Sequence, residues 1–156
     1  LVDNGSLKNL KEEFFFIDIC KNLSNFIKKN KVKIIFESDY NPKKLKKFIS
    51  KFDKKIFGIN YDSGNSAGLD FNINDEFNLY GDRILNIHIK DRIKDGKTVR
   101  LGEGNANIKK LFKKLMNINY KGNLILQTAR SKNNKDIEEI KINLKYLNNL
   151  KKTINA

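Results

Sequence analysis

Short apolar segments alternate with amphipathic segments along almost the whole chain, and this alternation constrains the fold more than any other feature. Each segment of strand length, rich in Ile, Phe or Leu, is followed by one with apolar residues at helical spacing. Strands that alternate with helices form a parallel sheet, because each chain return runs through a crossover helix. The pattern therefore predicts an α/β fold built from strand–helix units. The strands are predicted at 31–36, 55–61, 83–89 and 122–127, and the helices at 11–30, 41–52, 74–80, 108–118 and 135–154.

Local signals indicate where the helices begin and which faces they bury. Asn41 before a proline is a typical start of the second helix. Asn74 is the predicted cap of the third helix, and Asp75 and Glu76 lie in its first turn, where acidic residues are favourable. The final helix is predicted to turn Ile140, Leu144, Leu147 and Leu150 inward.

The segments between the predicted elements have different characters. The small residues at 63–66 are interpreted as a turn, whereas 90–107 is too long for a plain connector and is predicted to be a functional loop. The opening LVDNGS is interpreted as the end of an earlier strand with its loop.

The composition is that of a globular protein. With 156 residues, of which 39% are hydrophobic and 32% charged, the chain is long enough for one domain with a core. No apolar run approaches the roughly 20 residues of a transmembrane helix. Cys20 is the only cysteine, which excludes a disulfide framework and fits a reducing compartment. We therefore expect a cytoplasmic protein without a membrane partner.

The formal net charge of +14 raises the question of an anionic partner. Lys and Asn dominate the polar positions, whereas Arg, the preferred reader of bases and phosphates, occurs only at 83, 92, 100 and 130. No basic groove with interleaved aromatic residues stands out. We therefore expect no nucleic-acid partner, while an anionic small substrate is compatible with the charge.

Each predicted strand ends in a polar residue that can bind a metal ion. In a parallel α/β barrel the carboxyl ends of the strands meet on one face, where active sites lie. Two carboxylates, an imidazole and an amide oxygen suit a divalent cation and leave room for a substrate oxygen. Residues two positions earlier should then also point inward, and two of these are asparagines, which suits a polar site. The strand-end residues are Glu37, Asp62, His88 and Gln127, and the residues two positions earlier are Ile35, Asn60, Asn86 and Ile125.

Each strand-end residue also has a simpler interpretation. Glu37 could cap the helix after it, Asp62 could shape the turn that follows, and His88 could be a satisfied core residue. Gln127 carries no information by itself, and only the occurrence at matching strand ends favours a shared site. The GEG at 102–104 is a weak nucleotide-binding motif, because it follows no strand directly and lacks the third glycine.

Several segments, in their order along the chain, resemble one known family. They are FESD at 36–39, DSGN at 62–65, HIKD at 88–91, VRLGEGNANIKKLF at 99–112 and the strand that ends at Gln127. The combination resembles the xylose-isomerase-like barrel superfamily of sugar-phosphate isomerases and epimerases, and within it most closely the L-ribulose-5-phosphate (L-xylulose-5-phosphate) 3-epimerase group. The resemblance implies a (β/α)8 TIM barrel, of which this chain would be the C-terminal half, strands five to eight with their helices.

The resemblance also implies the chemistry. The substrate would be a small sugar or sugar phosphate, isomerised or epimerised by proton transfer through an enediolate with the help of one divalent metal ion, Zn, Mn or Mg. The implied metal ligands are Glu37, Asp62, His88 and Gln127, and the implied catalytic residues are Glu37 and Gln127. Substrate-binding residues are predicted at Asn65, Lys90, Arg92 and Arg130, although the three cations could equally be solvated loop residues.

Gln127 departs from the family, which usually has a glutamate at this position. In epimerases of this type one glutamate removes a proton and the other returns it on the opposite face, and a glutamine has no usable pKa for this step. Isomerisation by one base, with Glu37 moving a proton across a cis-enediol, stays open. Were the protein to epimerise at C3 nevertheless, Asp39 and Asp91, each just past a strand end, would be the next candidates for the second proton donor.

Length is the second departure, because a whole barrel needs about 250 residues. We expect residues 1–156 to be the C-terminal part of a single barrel domain, either as a fragment or as a chain completed by a partner, with a homo-oligomer as one possibility. A degenerate, non-catalytic binding domain of the same fold is an alternative that Gln127 would suit. A DNA-repair endonuclease of the same superfamily is less expected, because the sequence has one histidine.

Overall fold

The architecture is a parallel sheet with helices between its strands, as the sequence predicts. The computed structural model of the chain describes Leu7 and residues 9–131 and 133–155, so the interpretation of LVDNGS as an earlier strand end lies outside the described residues. The strands of the sheet are β1 (Ile34–Phe36), β2 (Phe57–Asp62), β3 (Ile84–Ile89) and, after a hairpin of β4 (Asp91–Arg92) and β5 (Thr98–Val99), β6 (Asn123–Leu126). They lie side by side in the order β1-β2-β3-β6, and every neighbouring pair is parallel.

Helices cover one face of this sheet. They are α1 (Leu10–Asn22), α2 (Ser24–Lys29), α3 (Pro42–Ile49), α4 (Ser63–Gly68), α5 (Ile73–Tyr80), α6 (Ile108–Asn117) and α7 (Asp136–Asn155), with a 3₁₀ turn at Gly81–Arg83. The core lies between sheet and helices, where Phe36 and Phe57 of the strands pack against Phe48 and Phe52. A parallel sheet with strands in chain order and helices outside it is part of an α/β barrel. Within the described part of the chain, no helix combines the length and apolar character needed to span a bilayer.

Three local predictions need correction. The helix predicted at 11–30 is two helices that meet at Leu23, where the Ser24 hydroxyl donates to the Cys20 carbonyl, a competing bond that bends helices. The cap of α5 is Asn72 rather than Asn74, because the side chain of Asn72 accepts the Asn74 N–H at 2.9 Å.

The buried face of the last helix differs from the prediction in part, since Leu147 and Leu150 pack against the core as expected. Ile140 and Leu144 are exposed, whereas Asn143 is only 2% exposed. The Asn143 side chain accepts the Leu101 N–H at 2.8 Å and donates to the Glu139 carbonyl at 2.7 Å. The helix therefore docks on the loop before α6 through a polar residue that apolar periodicity cannot reveal.

Apolar side chains are exposed along both outer borders of the sheet. Among the described residues, β1 and β6 each pair on one side only, and the inner-face residues Ile35 and Ile125 are exposed. We call these borders the first flank, formed by α1, α2 and β1, and the second flank, formed by β6 and α7. The exposed apolar residues are Leu10, Phe14, Phe15, Ile19, Leu23, Phe26, Val32, Ile34 and Ile35 on the first flank, and Leu124, Ile125, Ile137, Ile140, Ile142 and Leu144 on the second.

We expect the isolated 156-residue chain to self-associate or to unfold with low cooperativity, because two apolar flanks and two open strand edges face water. Light scattering after size exclusion measures self-association, and urea unfolding measures the cooperativity. Phe15→Ser, at a side chain 69% exposed on the first flank, should reduce association. The control Met116→Ser changes a side chain that is 60% exposed on α6, a helix that belongs to neither flank, and should not reduce association. A monodisperse monomer with sharp two-state unfolding would contradict this prediction.

Candidate metal centre

Three of the strand-end residues named by the sequence lie together at the carboxyl ends of the strands. Glu37 follows β1, Asp62 ends β2 and His88 lies in β3, directly beside Asp62 in the register. One potential ligand atom from each lies within 4.8 Å of the others. The His88 Nδ1 is 3.4 Å from the Glu37 Oε2 and 3.8 Å from the Asp62 Oδ2. We call these residues the Glu37–Asp62–His88 cluster.

The chemistry of this cluster fits a divalent metal ion. Two carboxylates and one imidazole are donors that Zn²⁺ and Mn²⁺ accept, and bonds of roughly 2.0–2.2 Å bring ligand atoms to separations near those seen here. The Asp62 side chain is 1% exposed, so its charge is sheltered from water. The Lys90 Nζ, 3.4 Å from the Asp62 Oδ2, supplies one positive charge. A bound cation would offset the second carboxylate.

Two hydrogen-bonded asparagines on neighbouring strands, Asn60 and Asn86, orient the carboxylate of Glu37. The Asn60 amide nitrogen donates to the Glu37 Oε2 at 2.6 Å and lies 3.2 Å from the His88 Nδ1. The Asn86 amide nitrogen in turn donates to the Asn60 Oδ1 at 2.7 Å. The prediction that Asn60 and Asn86 point toward the polar site is confirmed. These bonds hold the carboxylate of Glu37 in one orientation.

The segment predicted as a turn at 63–66 is instead the start of the short helix α4. Asp62 caps it, since its Oδ1 accepts the Asn65 N–H at 2.8 Å. The helix packs closely on the next strand end: a Cβ on Gly64 would lie 2.5 Å from the Lys90 Cγ. A glycine- and serine-rich helix of this length has little stability of its own. Its cap and this close packing therefore explain the helix, and Asp62 serves as both cap and cluster member.

Asn65 connects the cluster to two of the predicted substrate-binding cations. Its amide nitrogen donates to the Glu37 Oε1 at 2.8 Å. Its amide oxygen accepts from the Lys90 Nζ at 3.1 Å and from the Arg92 Nη1 at 3.2 Å. The Lys90 Nζ is also 3.4 Å from the Asp62 Oδ2. Both oxygens of Glu37 thus accept an amide N–H, and positive charge borders the cluster.

Gln127 and Arg130 lie apart from these contacts. Gln127 follows β6, its side chain is exposed, and its backbone N–H donates to the Ile89 carbonyl at 3.0 Å. Arg130 lines a separate cleft of about 650 Å³ together with Lys97 and Arg100. In the described part of the chain, no hydrogen bond or ion pair joins either side chain to the cluster. Their roles as fourth ligand and as substrate-binding residue stay predictions.

The loop predicted to be functional at 90–107 contains the β4–β5 hairpin and is organised by Asp91. This carboxylate is 0% exposed and accepts the backbone N–H groups of Gly102 at 2.8 Å, Gly104 at 3.0 Å and Ala106 at 2.9 Å. The GEG segment is therefore a loop that binds a carboxylate of its own chain. Full burial and three N–H bonds make Asp91 a structural anchor rather than the second proton donor that the sequence suggested.

The sequence matches the xylose isomerase-like TIM barrel family over residues 12–150. The chain belongs to this family. The cluster lies where the family's barrel places its active sites, at the carboxyl ends of the strands. No curated protein matches the chain.

Solved structures share the fold at low sequence identity. A xylose isomerase domain protein from Planctomyces limnophilus aligns with a TM-score of 0.74 and 19% identity over 99% of this chain and 57% of its own. A D-tagatose 3-epimerase-like protein aligns with a TM-score of 0.66 and 18% identity over 98% and 61%. A sugar phosphate isomerase/epimerase from Parabacteroides distasonis aligns with a TM-score of 0.54 and 21% identity over 64% and 33%. The chain thus spans about three fifths of the first two structures, and these similarities show the fold alone.

Proposed function

We propose that the chain carries the metal centre of a divalent-metal-dependent sugar or sugar-phosphate isomerase or epimerase. The observation that carries the proposal is the convergence of Glu37, Asp62 and His88 at the carboxyl ends of neighbouring strands. Membership of the xylose isomerase-like family supports it. Within that family, the motifs around these residues favour the L-ribulose-5-phosphate 3-epimerase group.

The cluster would hold the cation, with Gln127 as a fourth ligand through its amide oxygen. A bound Zn²⁺, Mn²⁺ or Mg²⁺ would supply Lewis-acid chemistry at a carbonyl or hydroxyl oxygen of the substrate. Lys90 and Arg92, bonded to Asn65 at the border of the cluster, would place positive charge beside a substrate phosphate or hydroxyl group.

Glu37 is the proposed base for proton transfer. It would take a proton from the carbon next to the substrate carbonyl, leaving an enediolate, and return that proton to the former carbonyl carbon. The hydroxyl proton of the first carbon would pass to the former carbonyl oxygen, so that the carbonyl group changes place. The Asn60 and Asn65 amides, which donate to its two oxygens at 2.6 and 2.8 Å, keep the carboxylate aimed during both transfers. A positioned base of this kind contributes about 10²–10⁴-fold to the rate.

Gln127 decides which reaction such a site favours. We expect the wild-type protein, at the length its gene encodes, to interconvert aldose and ketose with solvent exchange of the moving proton, in preference to C3 epimerisation. Gln127→Glu should add or raise epimerisation, because a second base would face the opposite side of the carbon. NMR product analysis in deuterated water with added Mn²⁺, Mg²⁺ or Zn²⁺ measures both reactions.

The control Gln127→Asn keeps an amide and should raise no epimerisation. Robust C3 epimerisation by the wild-type protein would show that another group supplies the second proton, and would refute the roles given to Glu37 and Gln127.

A non-catalytic binding domain of the same fold is the second candidate, favoured by the amide at Gln127 and its exposed position. Such a domain would bind the metal and a sugar without any exchange of substrate protons for deuterium. The same NMR experiment therefore distinguishes it from the enzyme.

A further inference from the structure

A buried acid, Glu76, lies next to the candidate metal centre without belonging to it. Glu76 is only 2% exposed. Its Oε2 accepts hydrogen bonds from the Ser66 hydroxyl at 2.6 Å and the Tyr61 hydroxyl at 2.9 Å, and its Oε1 accepts one from Tyr80 at 2.9 Å. No cation pairs with this carboxylate in the described part of the chain.

Burial of a carboxylate without a cationic partner destabilises its charged form, and the pKa of Glu76 is shifted accordingly. Burial raises the pKa of Glu76 above its ordinary value, although the hydrogen bonds from Ser66, Tyr80 and Tyr61 act in the opposite direction. An apolar residue at this position of α5 would avoid the cost. The presence of a glutamate here therefore needs another explanation, and the segments to which its hydroxyl partners belong provide one.

Two of these partners are sequence neighbours of site residues. Tyr61 precedes Asp62 in β2, and Ser66 follows Asn65 in α4. The Tyr61 and Ser66 hydroxyls also lie 3.2 Å apart. Glu76 thus ties the end of β2 and the middle of α4 to α5 through one carboxylate oxygen.

The helix α4 depends on such support. It has six residues, SGNSAG, a composition and length that do not maintain a helix in isolation. This helix carries Asn65, whose side-chain amide donates to Glu37 and whose backbone N–H donates to Asp62. A small movement of α4 would therefore disturb the carboxylates of Glu37 and Asp62 together.

A small cavity places these groups around one space. It measures about 20 Å³, and its lining includes Glu37 and Asn65 as well as Ser66, Glu76 and Tyr80. That is about the volume of one water molecule. Glu76 and its hydroxyl partners therefore border the same small space as Glu37 of the cluster.

We propose that Glu76 is a positioning residue for the metal centre, which holds α4 through Ser66 and thereby keeps Asn65 in place against Glu37 and Asp62. The part of this inference that concerns metal affinity rests on the proposed function. The part that concerns the placement of the cluster does not.

The experiment compares two partners of the same carboxylate. Ser66→Ala removes the bond to α4, whereas the control Tyr80→Phe removes a bond within α5 that does not reach α4. Both leave Glu76 with one donor fewer, so both should lower the urea midpoint of the protein at the length its gene encodes. We expect Ser66→Ala to weaken Mn²⁺ binding, measured by electron paramagnetic resonance, about tenfold, and Tyr80→Phe to change it less than twofold.

A second measurement needs no metal. His88 is the only histidine in the sequence, so its imidazole NMR signals report on the cluster without further assignment. We expect Ser66→Ala to shift these signals in metal-free protein and Tyr80→Phe to leave them in place.

The outcomes distinguish the positioning role of Glu76 from the proposed metal centre. Equal effects of both variants on the His88 signals, or no effect of either, would overturn the positioning role. A wild-type protein that binds no Mn²⁺, Mg²⁺ or Zn²⁺ would overturn the proposed metal centre, and the imidazole signals would then decide the positioning role alone.

Discussion

Glu37→Gln is expected to lower proton-transfer activity about 10²–10⁴-fold, the range that a positioned base contributes. The substitution removes the only group of the cluster proposed to move a proton, and it also takes one negative charge from the metal site. NMR in deuterated water, at saturating sugar and metal, measures the exchange rate.

The hydrogen bonds of Glu37 strengthen this expectation. Both of its oxygens accept amide N–H groups, from Asn60 and from Asn65. A glutamine would turn its own NH₂ group toward one of these donors. The control Glu138→Gln removes an exposed carboxylate on α7, paired with Lys135 at 3.5 Å, and should retain full activity. Retention of more than a tenth of the activity by Glu37→Gln would assign the base to another residue.

Asp91→Asn is expected to cost about 1–3 kcal/mol of folding free energy, because one buried backbone N–H is left facing the amide NH₂ of the asparagine. The asparagine oxygen can keep the N–H groups of Gly102 and Gly104, which share one oxygen of Asp91, whereas the N–H of Ala106 then faces the NH₂. Urea unfolding of the protein at the length its gene encodes measures the change.

Glycine substitutions give an independent test of this loop. A Cβ on Gly104 would collide with the Oδ1 of Asp91 and lie 2.7 Å from the Arg92 carbonyl oxygen, so Gly104→Ala should cost about 1–3 kcal/mol as an overpacked site. At Gly81 the nearest atom to an added Cβ is 3.5 Å away, an ordinary contact. Gly81→Ala should therefore be close to neutral. Equal stability of Gly104→Ala and Gly81→Ala would contradict the role given to Asp91.

Periodicity and strand ends were sufficient for much of the architecture. The sheet strands and most of the helices lie where alternation predicts them, within a few residues, and the parallel order follows from the helical connections. Errors occurred where a polar contact decides the local structure, as at Asn72, which caps α5, and at Asn143, which docks α7.

The candidate site likewise contains residues that the sequence could predict and one, Gln127, whose place it could not. Glu37, Asp62 and His88 could be named in advance, because in a parallel sheet residues at matching strand ends become neighbours whatever the connecting segments do. Gln127 satisfies the same rule, yet its side chain is exposed, and in the described part of the chain it makes no hydrogen bond to the cluster.

The sequence by itself determined the parallel α/β architecture and the three converging residues, because these depend on periodicity and on residue type at strand ends. The family followed from the resemblance of its motifs. Only the tertiary structure decided that SGNSAG is a helix, that Asp91 binds the GEG loop and that Glu76 holds α4. In each case the partners are backbone N–H groups or hydroxyls of other segments, such as Ser66, 10 positions from Glu76, or Gly102, 11 positions from Asp91. A backbone N–H is present at almost every residue, so composition cannot single out the ones that a buried carboxylate will bind.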